Sequence, residues 1–245
     1  MIKLENINLT IPIYTNQTQL LKKEIVNTIT GCIVKSQESK IPNVKALSNI
    51  NCTINRGERI GLIGHNGSGK TTFLRLISGI YHPSSGKLTI NLEVFPMINK
   101  CFLTNIELSG LVAAKAYYLM IKKTDQGFED YFKKLIKFSG LEDYIYLPLK
   151  TYSQGMQSRL LFTLLTSLNI ECLALDEGFG FADSAFIKKA KIRMNSFLEN
   201  TGTLIFASHS ESLLKMYCNR GIVFRMGEIV FDGNLESALE FYNDK

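Results

Sequence analysis

The 245-residue sequence has no long apolar run. Its longest apolar stretch, Leu160 to Ile170, is interrupted by Thr and Ser side chains and is too short to span a bilayer. The N-terminus also lacks the charged-then-apolar pattern of a signal peptide. We therefore expect a chain that does not cross a membrane by itself.

Cysteine is sparse and shows no ordered spacing. The 5 cysteines are scattered, odd in number and never form a C-x-x-C pair. This usage favours reduced thiols in a cytoplasmic protein and argues against a metal site built from cysteine.

The charge of the chain is only weakly biased. Lys and Arg number 28 and Asp and Glu number 22, which gives a net charge of +6. This mild basicity suits an anionic membrane surface or an acidic partner, and it equally suits an ordinary solvated surface. It is too weak to indicate nucleic acid, and we expect no nucleic-acid partner.

What the sequence does contain is a complete phosphate-binding loop of the form G-x-x-x-x-G-K-[ST]. Its residues, with the threonine that follows, are Gly64, His65, Asn66, Gly67, Ser68, Gly69, Lys70, Thr71 and Thr72. The glycines let backbone N–H groups curl around phosphates, Lys70 brings a cation to the β and γ oxygens, and the Thr71 hydroxyl can ligate Mg²⁺. A short apolar run precedes the loop and a helical pattern follows it. The sequence therefore predicts binding of ATP or GTP.

The pattern along the chain predicts one α/β nucleotide domain over residues 1–245, with two insertions. One insertion, about 15–43, contains a helical period over 18–35 that suits either a helix covering the sheet or an amphipathic element touching lipid headgroups or a membrane partner. The other is a helical subdomain over about 104–165. Within it, residues 105–147 are mostly helical by period, and Gly110, Gly127 and Gly140 are the expected breaks. The expected strands are 2–13 with a slip between Leu4 and Ile7, then 46–54, 87–94, 172–175, 203–207, 221–224 and 229–231.

Two adjacent carboxylates follow an apolar strand in the second half of the chain. Cys172 to Leu175 form the strand, and Asp176 and Glu177 come directly after it. Such a strand delivers Asp176 beside a nucleotide-bound metal and leaves Glu177 to orient the attacking water. Alone, a strand ending in Asp-Glu is common and also suits surface carboxylates without a role.

The stretch Tyr152–Arg159 resembles the signature motif of ATP-binding cassette (ABC) proteins, whose usual form is L-S-G-G-Q-x-Q-R. Ser153, Gly155 and Arg159 match that form, whereas Tyr152, Gln154 and Met156 depart from it. A serine hydroxyl and free N–H groups at a helix N-terminus make an anion site. The resemblance implies that Ser153 and Gly155 contact the γ-phosphate of a nucleotide held by the other protomer. The alternative is a helix cap at Ser153 without a ligand.

Two further positions fit the same family. Asp183 follows Asp176 at the spacing of the family's dimer-contact aspartate. His209, one of only 3 histidines, ends an apolar strand where the family has its switch histidine. The resemblance implies that His209 contacts the γ-phosphate and acts in catalysis together with Glu177 and Lys70.

The motif stretches narrow the resemblance to the ATPase subunits of bacterial polysaccharide exporters, which move O-antigen, capsule or teichoic acid. This implies an ABC ATPase core with an antiparallel β subdomain and a helical subdomain, and ATP hydrolysis with Mg²⁺ held by Thr71 and Asp176. It also implies a homodimer that drives an integral membrane permease at the cytoplasmic face of the inner membrane. The candidate surfaces for contact with the permease or the membrane are those around residues 95–115 and 18–35. The alternatives are an ABC subunit for a lipid or drug, and a soluble non-transport ABC ATPase. A C-terminal carbohydrate-binding domain, which some members append, is not expected.

Two positions depart from the family pattern. The family places a glutamine between the phosphate loop and the helical subdomain, but no Gln occurs between Lys40 and Gln126, and Asn99 is the candidate substitute. The strand position that usually carries an adenine-stacking aromatic is Ile11, with Tyr14 nearby.

Overall fold

A computed structural model describes residues 1–12, 43–97, 105–176 and 184–244. Within these ranges the strands are β1 Ile2–Pro12, β2 Asn43–Ile54, β3 Arg59–Ile63, β4 Ser85–Ile90, β5 Val94–Met97, β6 Cys172–Asp176, β7 Thr203–Ala207, β8 Arg220–Arg225 and β9 Glu228–Asn234. The α-helices are α1 Lys70–Ile77, α2 Gly110–Lys122, α3 Phe128–Ser139, α4 Gln154–Leu165, α5 Ser184–Asn200, α6 Glu211–Tyr217 and α7 Leu235–Asn243. Short 3-10 helices occupy Glu142–Tyr146 and Leu149–Thr151.

The larger sheet has the order β5-β6-β7-β3-β8-β9, and only β9 runs antiparallel to its neighbour. Its central strands are apolar on both faces: all residues of β7 are buried, and so are the last four of β3. This continuous burial is expected of parallel strands covered on both sides. Because β3, β6 and β7 are parallel, their carboxyl ends meet at one edge of the sheet.

The smaller sheet is antiparallel, with the order β2-β1-β4. In β1 the side chains of Ile2, Leu4, Ile7 and Leu9 are buried and face the core. The predicted slip between Leu4 and Ile7 is confirmed as a register shift, with Asn6 at φ 52°. The fold class predicted from the sequence, an α/β core with an antiparallel β sheet and added helices, is therefore confirmed.

The predicted strand over 87–94 is wrong, because the chain changes sheets within it. Strand β4 ends at Ile90 in the antiparallel sheet, and β5 begins at Val94 in the parallel sheet. Asn91 lies at the break and donates its N–H to the Met1 carbonyl, 2.9 Å away. The apolar alternation continues through Leu92, so periodicity alone could not reveal the crossing.

The region expected to be helical between residues 105 and 147 contains α2 and α3. Gly127 and Gly140 flank α3 with left-handed φ values of 84° and 65°, as breaks should. Gly110 does not break a helix; it is the first residue of α2, and the Ser109 hydroxyl accepts a bond from Val112 N at 3.3 Å. None of the described helices is both long and apolar enough to cross a membrane.

Some predictions lie outside the described residues. The N-terminal insertion over about 15–43 is outside them except for its last position, Asn43, which begins β2. The helical subdomain over about 104–165 contains α2, α3 and α4, and its boundaries stay a prediction.

We predict that Gly110→Ala lowers the free energy of unfolding by about 1–3 kcal/mol, because the new methyl group would overpack a filled site. A Cβ there would overlap the Tyr152 hydroxyl and lie 2.8 Å from Ile145 Cδ1. Urea unfolding followed by circular dichroism measures the change. The matched control is Gly155→Ala, also at a helix start, where the nearest atom to a Cβ is Ser153 Oγ at 3.8 Å. Equal loss in both variants would contradict the packing explanation.

Candidate functional site

Three parallel strands deliver the candidate site to one edge of the larger sheet. The phosphate loop follows β3, Asp176 ends β6, and His209 comes two residues after β7. A cavity of about 960 Å³ opens at this edge. Its lining residues are Ile11, Val44, Lys45, Ala46, Asn66, Gly67, Ser68, Gly69, Lys70, Thr71, Thr72, Asp176, His209, Met226 and Gly227. The structure therefore brings most of the predicted nucleotide-binding residues together around one cavity.

The phosphate loop depends on glycine at its tight positions. Gly64, Gly67 and Gly69 have φ values of 148°, 80° and 114°, which side-chain-bearing residues rarely adopt. A Cβ on Gly64 would also lie 2.5 Å from the Phe224 carbonyl oxygen. Helix α1 begins directly after Gly69, and its first residues, Lys70 to Thr72, line the cavity. The N-terminal end of the helix therefore faces the cavity, as phosphate binding requires.

Lys70 lies in the first turn of α1 and is almost entirely buried. Its ammonium group donates to the carbonyl oxygens of Gly64 at 2.5 Å and of His65 at 3.0 Å. These bonds hold the cation inside the curve of the loop. The position agrees with the predicted role of Lys70 in neutralising phosphate oxygens, and it explains why Gly64 and His65 matter although neither lines the cavity.

Thr71 and Asp176 meet across the cavity. The Thr71 hydroxyl donates to Asp176 Oδ2 at 2.7 Å, which joins the start of α1 to the end of β6. A hydroxyl and a carboxylate are hard oxygen ligands, and Mg²⁺ typically takes few protein ligands while keeping water and substrate phosphates. The donor set therefore fits the predicted metal position.

His209 contacts the phosphate loop directly. Its Nε2 lies 2.9 Å from Asn66 Oδ1. The buried strand β7 and the buried Ser208, whose hydroxyl accepts a bond from Ser210 N at 3.0 Å, fix the point where the chain emerges. This contact places the imidazole beside the phosphate loop, although His209 and Asn66 are 143 positions apart in the sequence.

Ser153 and Gly155 lie at the N-terminus of α4 and do not line the cavity. The Ser153 hydroxyl accepts a hydrogen bond from Met156 N at 3.2 Å, so it does cap this helix. Among the described residues, the atom nearest to a Cβ added at Gly155 is Ser153 Oγ. Within one chain, the predicted signature residues are thus separate from the predicted phosphate site.

Several predicted positions lie outside the described residues. These are Glu177, Asp183, Asn99 and Tyr14. Ile11, the other position considered for contact with adenine, does line the cavity.

Sequence reasoning missed one wall of the cavity, which is formed by Val44, Lys45 and Ala46 of β2 and by the turn between β8 and β9. In that turn, Gly227 N donates to the Ser68 carbonyl at 2.9 Å, and its own carbonyl accepts from Ser48 N at 2.8 Å. Met226 precedes it with a φ of 47° and is 82% exposed. A hairpin signal is present in Met226-Gly227, but nothing local indicates that the hairpin packs against the phosphate loop.

A buried strand, a glycine loop, a helix start and an aspartate from a neighbouring strand define a P-loop protein that binds nucleoside triphosphates. The family model for "ABC transporter" matches residues 47–180, more than half of the chain. The chain therefore belongs to the ABC transporter family, and the prediction that it is an ATPase subunit of this family is confirmed.

Proteins from three bacteria are similar to the chain over most of its length. The O-antigen export system ATP-binding protein RfbE of Yersinia enterocolitica is 36% identical over 91% of this chain and 92% of its own. The ATP-binding protein BexA of Haemophilus influenzae is 32% identical over 81% of this chain and 89% of its own. The teichoic acids export ATP-binding protein TagH of Bacillus anthracis is 32% identical over 81% of this chain, which spans only 36% of that longer protein. The resemblance to exporter ATPases is confirmed.

Solved structures agree on the fold. The ATP-binding cassette MJ0796, in a dimeric post-hydrolysis state bound to ADP and Pi, has a TM-score of 0.65 at 20% identity and covers 96% of this chain. An ATP-binding subunit of an ABC transporter has a TM-score of 0.66 at 18% identity and covers 99% of this chain.

We predict that Lys70→Ala weakens nucleotide binding by about tenfold or more, because a charge-assisted contact contributes about 1.5–3 kcal/mol. Fluorescent-ATP titration measures this. Lys87→Ala, which removes an exposed cation from β4 outside the cavity, is the control and should bind as the unaltered chain does. Unchanged affinity in Lys70→Ala, with thermal unfolding showing a folded protein, would contradict the phosphate-loop assignment.

Proposed function

We propose that the chain is the ATP-hydrolysing subunit of an exporter for a cell-surface polysaccharide of the O-antigen or capsule type. The observation that carries this proposal is the 36% identity to RfbE over nearly the full length of both chains. The cavity at the sheet edge supports it, because the phosphate loop, Asp176 and His209 lie around this one cavity.

In the proposed reaction the residues of one protomer bind ATP and polarise its γ-phosphate. The loop N–H groups and Lys70 hold the phosphates. Thr71 and Asp176 would hold Mg²⁺, which would offset the charge that develops on the phosphate oxygens. Glu177 orients a water in line with the γ-phosphate, and His209 contacts the same phosphate from the β7 side. The water oxygen bonds to the γ-phosphorus as the bond from that phosphorus to the bridging oxygen of ADP breaks, and Glu177 accepts the water proton, giving ADP and inorganic phosphate.

A second copy of the chain completes each site in this proposal. Ser153 and Gly155 lie outside the cavity of their own chain, although the free N–H groups at the start of α4 suit an anion. A head-to-tail dimer would bring the signature residues of one protomer onto the nucleotide of the other, with Asp183 at the contact. Two equivalent sites follow from the symmetry of such a pair.

Complementation tests the shared site. Lys70→Ala damages the loop and Gly155→Asp damages the signature; the open space around Gly155 means that this change is tolerated within one chain. Each variant alone should lack ATPase activity. A mixture should regain part of it, because every mixed dimer contains one site built from two undamaged halves. Phosphate release measures the activity, and a mixture as inactive as its components would contradict a site shared between protomers.

The proposed permease contact lies on the helical region. Its large apolar and aromatic side chains are exposed next to α2: Ile106, Leu108, Val112, Tyr144, Tyr146 and Leu147. Backbone hydrogen bonds join the segment before α2 to the segment before α4. Leu149 N donates to the Leu108 carbonyl at 2.9 Å, and Lys150 N donates to the Ile106 carbonyl at 2.9 Å. An exposed apolar patch of this kind marks a protein interface. It overlaps the 95–115 surface predicted for the permease, whereas 18–35 lies outside the described residues. Binding there would hold the subunit at the cytoplasmic face of the inner membrane.

The Glu177→Gln variant tests hydrolysis and export together. It should bind ATP normally, accumulate as a closed dimer, and lose about a hundredfold or more of its turnover, as expected when a catalytic base is removed. In the source organism, deleting the gene should abolish the surface glycan, and only the unaltered gene should restore it. Gln126→Glu, a charge change of equal size at an exposed position outside the cavity and the signature stretch, is the control for turnover. Full turnover in Glu177→Gln would contradict the catalytic role of Glu177. A deletion strain with normal surface glycan would contradict the proposal that the cargo is a surface polysaccharide.

A further inference from the structure

Two adjoining cavities lie on a part of the molecule that the nucleotide site does not use. They have volumes of about 440 and 410 Å³ and share Phe138, Ser167, Lys189 and Arg193 in their walls. They lie between α3, the end of α4 and α5, and we call them together the basic groove. Within the described part of the chain, the nucleotide cavity and this groove share no lining residue.

The described lining of the groove contains basic side chains and no carboxylates. Lys134, Lys137, Lys189 and Arg193 line it, and no Asp or Glu among the described residues does. None of these four cations forms an ion pair with a carboxylate that the structure describes. In such a concave surface the field of several like charges adds up, so the groove attracts anions.

Two of the cations are held in fixed positions. Lys189 Nζ donates to the Phe138 carbonyl at 2.9 Å, and Arg193 Nε donates to Thr166 Oγ1 at 2.9 Å. Both also stand over the Phe138 ring, at 4.4 Å for Lys189 and 4.0 Å for Arg193. An arginine carries five donors and a lysine three, so each keeps donors for a ligand. The site is therefore ordered before any ligand arrives, which reduces the entropy that binding costs.

The partial burial of the Arg193 guanidinium favours an anion beside it. Desolvation lowers the pKa of the Arg193 guanidinium, which lies partly inside the groove wall. A partly desolvated cation without a neighbouring carboxylate is costly, and an anion in the groove would offset that cost.

The two helices also explain where the basicity of the chain lies. Helices α3 and α5 carry seven Lys or Arg and three Asp or Glu, so together they hold +4 of the chain's +6. Their cations outside the groove, Lys133, Lys188 and Lys191, are exposed. Much of the net positive charge of the chain therefore lies on two helices that line the basic groove, and the groove has the volume of a ligand site.

We propose that the basic groove binds a phosphate-bearing anion. A guanidinium matches phosphate with paired N–H donors, and lysines add point charges around it. Ile192, which is 66% exposed, and the buried Phe197 provide an apolar wall for the organic part of a phosphate ester. The ligand is either a soluble phosphate compound or the headgroup of an anionic phospholipid, and the experiment distinguishes these sources.

Calorimetric titration of inorganic tripolyphosphate into the Lys70→Ala chain measures the groove with the phosphate loop weakened. The test variant adds Lys134→Ala and Lys137→Ala. The matched control adds Lys133→Ala and Lys188→Ala, which remove two exposed cations from the same helices outside the groove. Flotation with vesicles of phosphatidylcholine, with or without anionic phosphatidylglycerol, provides the lipid arm. All four substituted side chains are exposed, so the variants should fold, and thermal unfolding verifies this.

The groove variant should bind tripolyphosphate about tenfold more weakly, or fail to float with anionic vesicles, while the control changes less than about twofold. Selective loss in the calorimetric arm identifies a soluble phosphate ligand, and selective loss only in the vesicle arm identifies a headgroup. Equal loss in test and control variants would mean diffuse surface charge and would overturn the proposal. So would the absence of binding to every probe, or tighter binding of a polyglutamate peptide than of tripolyphosphate.

Discussion

The hydrogen bond between Thr71 and Asp176 depends on the parallel arrangement of β3, β7 and β6. Because these buried strands run in the same direction, the loop after β3 and the carboxylate at the end of β6 come out at the same edge. The 2.7 Å bond then joins the start of α1 to β6. Strand β7 lies between β6 and β3 in the sheet, so His209 emerges at the same edge, where its Nε2 is 2.9 Å from Asn66 Oδ1.

The chain keeps its phosphate loop and its signature residues apart. Lys70 is buried inside its loop and bonded to two carbonyl groups, so the phosphate site is ordered within one chain. Ser153 and Gly155 instead stand at the exposed start of α4, where a side chain on Gly155 would meet almost nothing. The contrast is one of packing: the phosphate loop is closely packed on its own chain, whereas the described residues leave space beside Gly155.

The parts of the site that could be predicted are those whose chemistry is local. Gly64, Gly67 and Gly69 are required by the backbone geometry of the loop itself. The apolar strand directly before Asp176 predicts where that carboxylate lies. The wall formed by β2 and the Met226-Gly227 turn could not be predicted, because its bonds to Ser48 and Ser68 join residues far apart in sequence. The fold shows the same limit. The slip in β1 was visible in its alternation, but the passage from β4 to β5 was hidden because apolar residues continue through Leu92.

The four cations of the basic groove are of two kinds: two bond to the ends of neighbouring helices, and two do not. The last carbonyls of a helix carry partial negative charge, and Lys189 and Arg193 bind the carbonyl of Phe138 in α3 and the hydroxyl of Thr166 after α4. These two cations therefore have a structural reason to be there. Lys134 and Lys137 have no such bond from their side chains among the described residues, yet they face the same cavity. Bonds to helix ends explain the positions of Lys189 and Arg193. A bound anion would explain why Lys134 and Lys137 face the same groove.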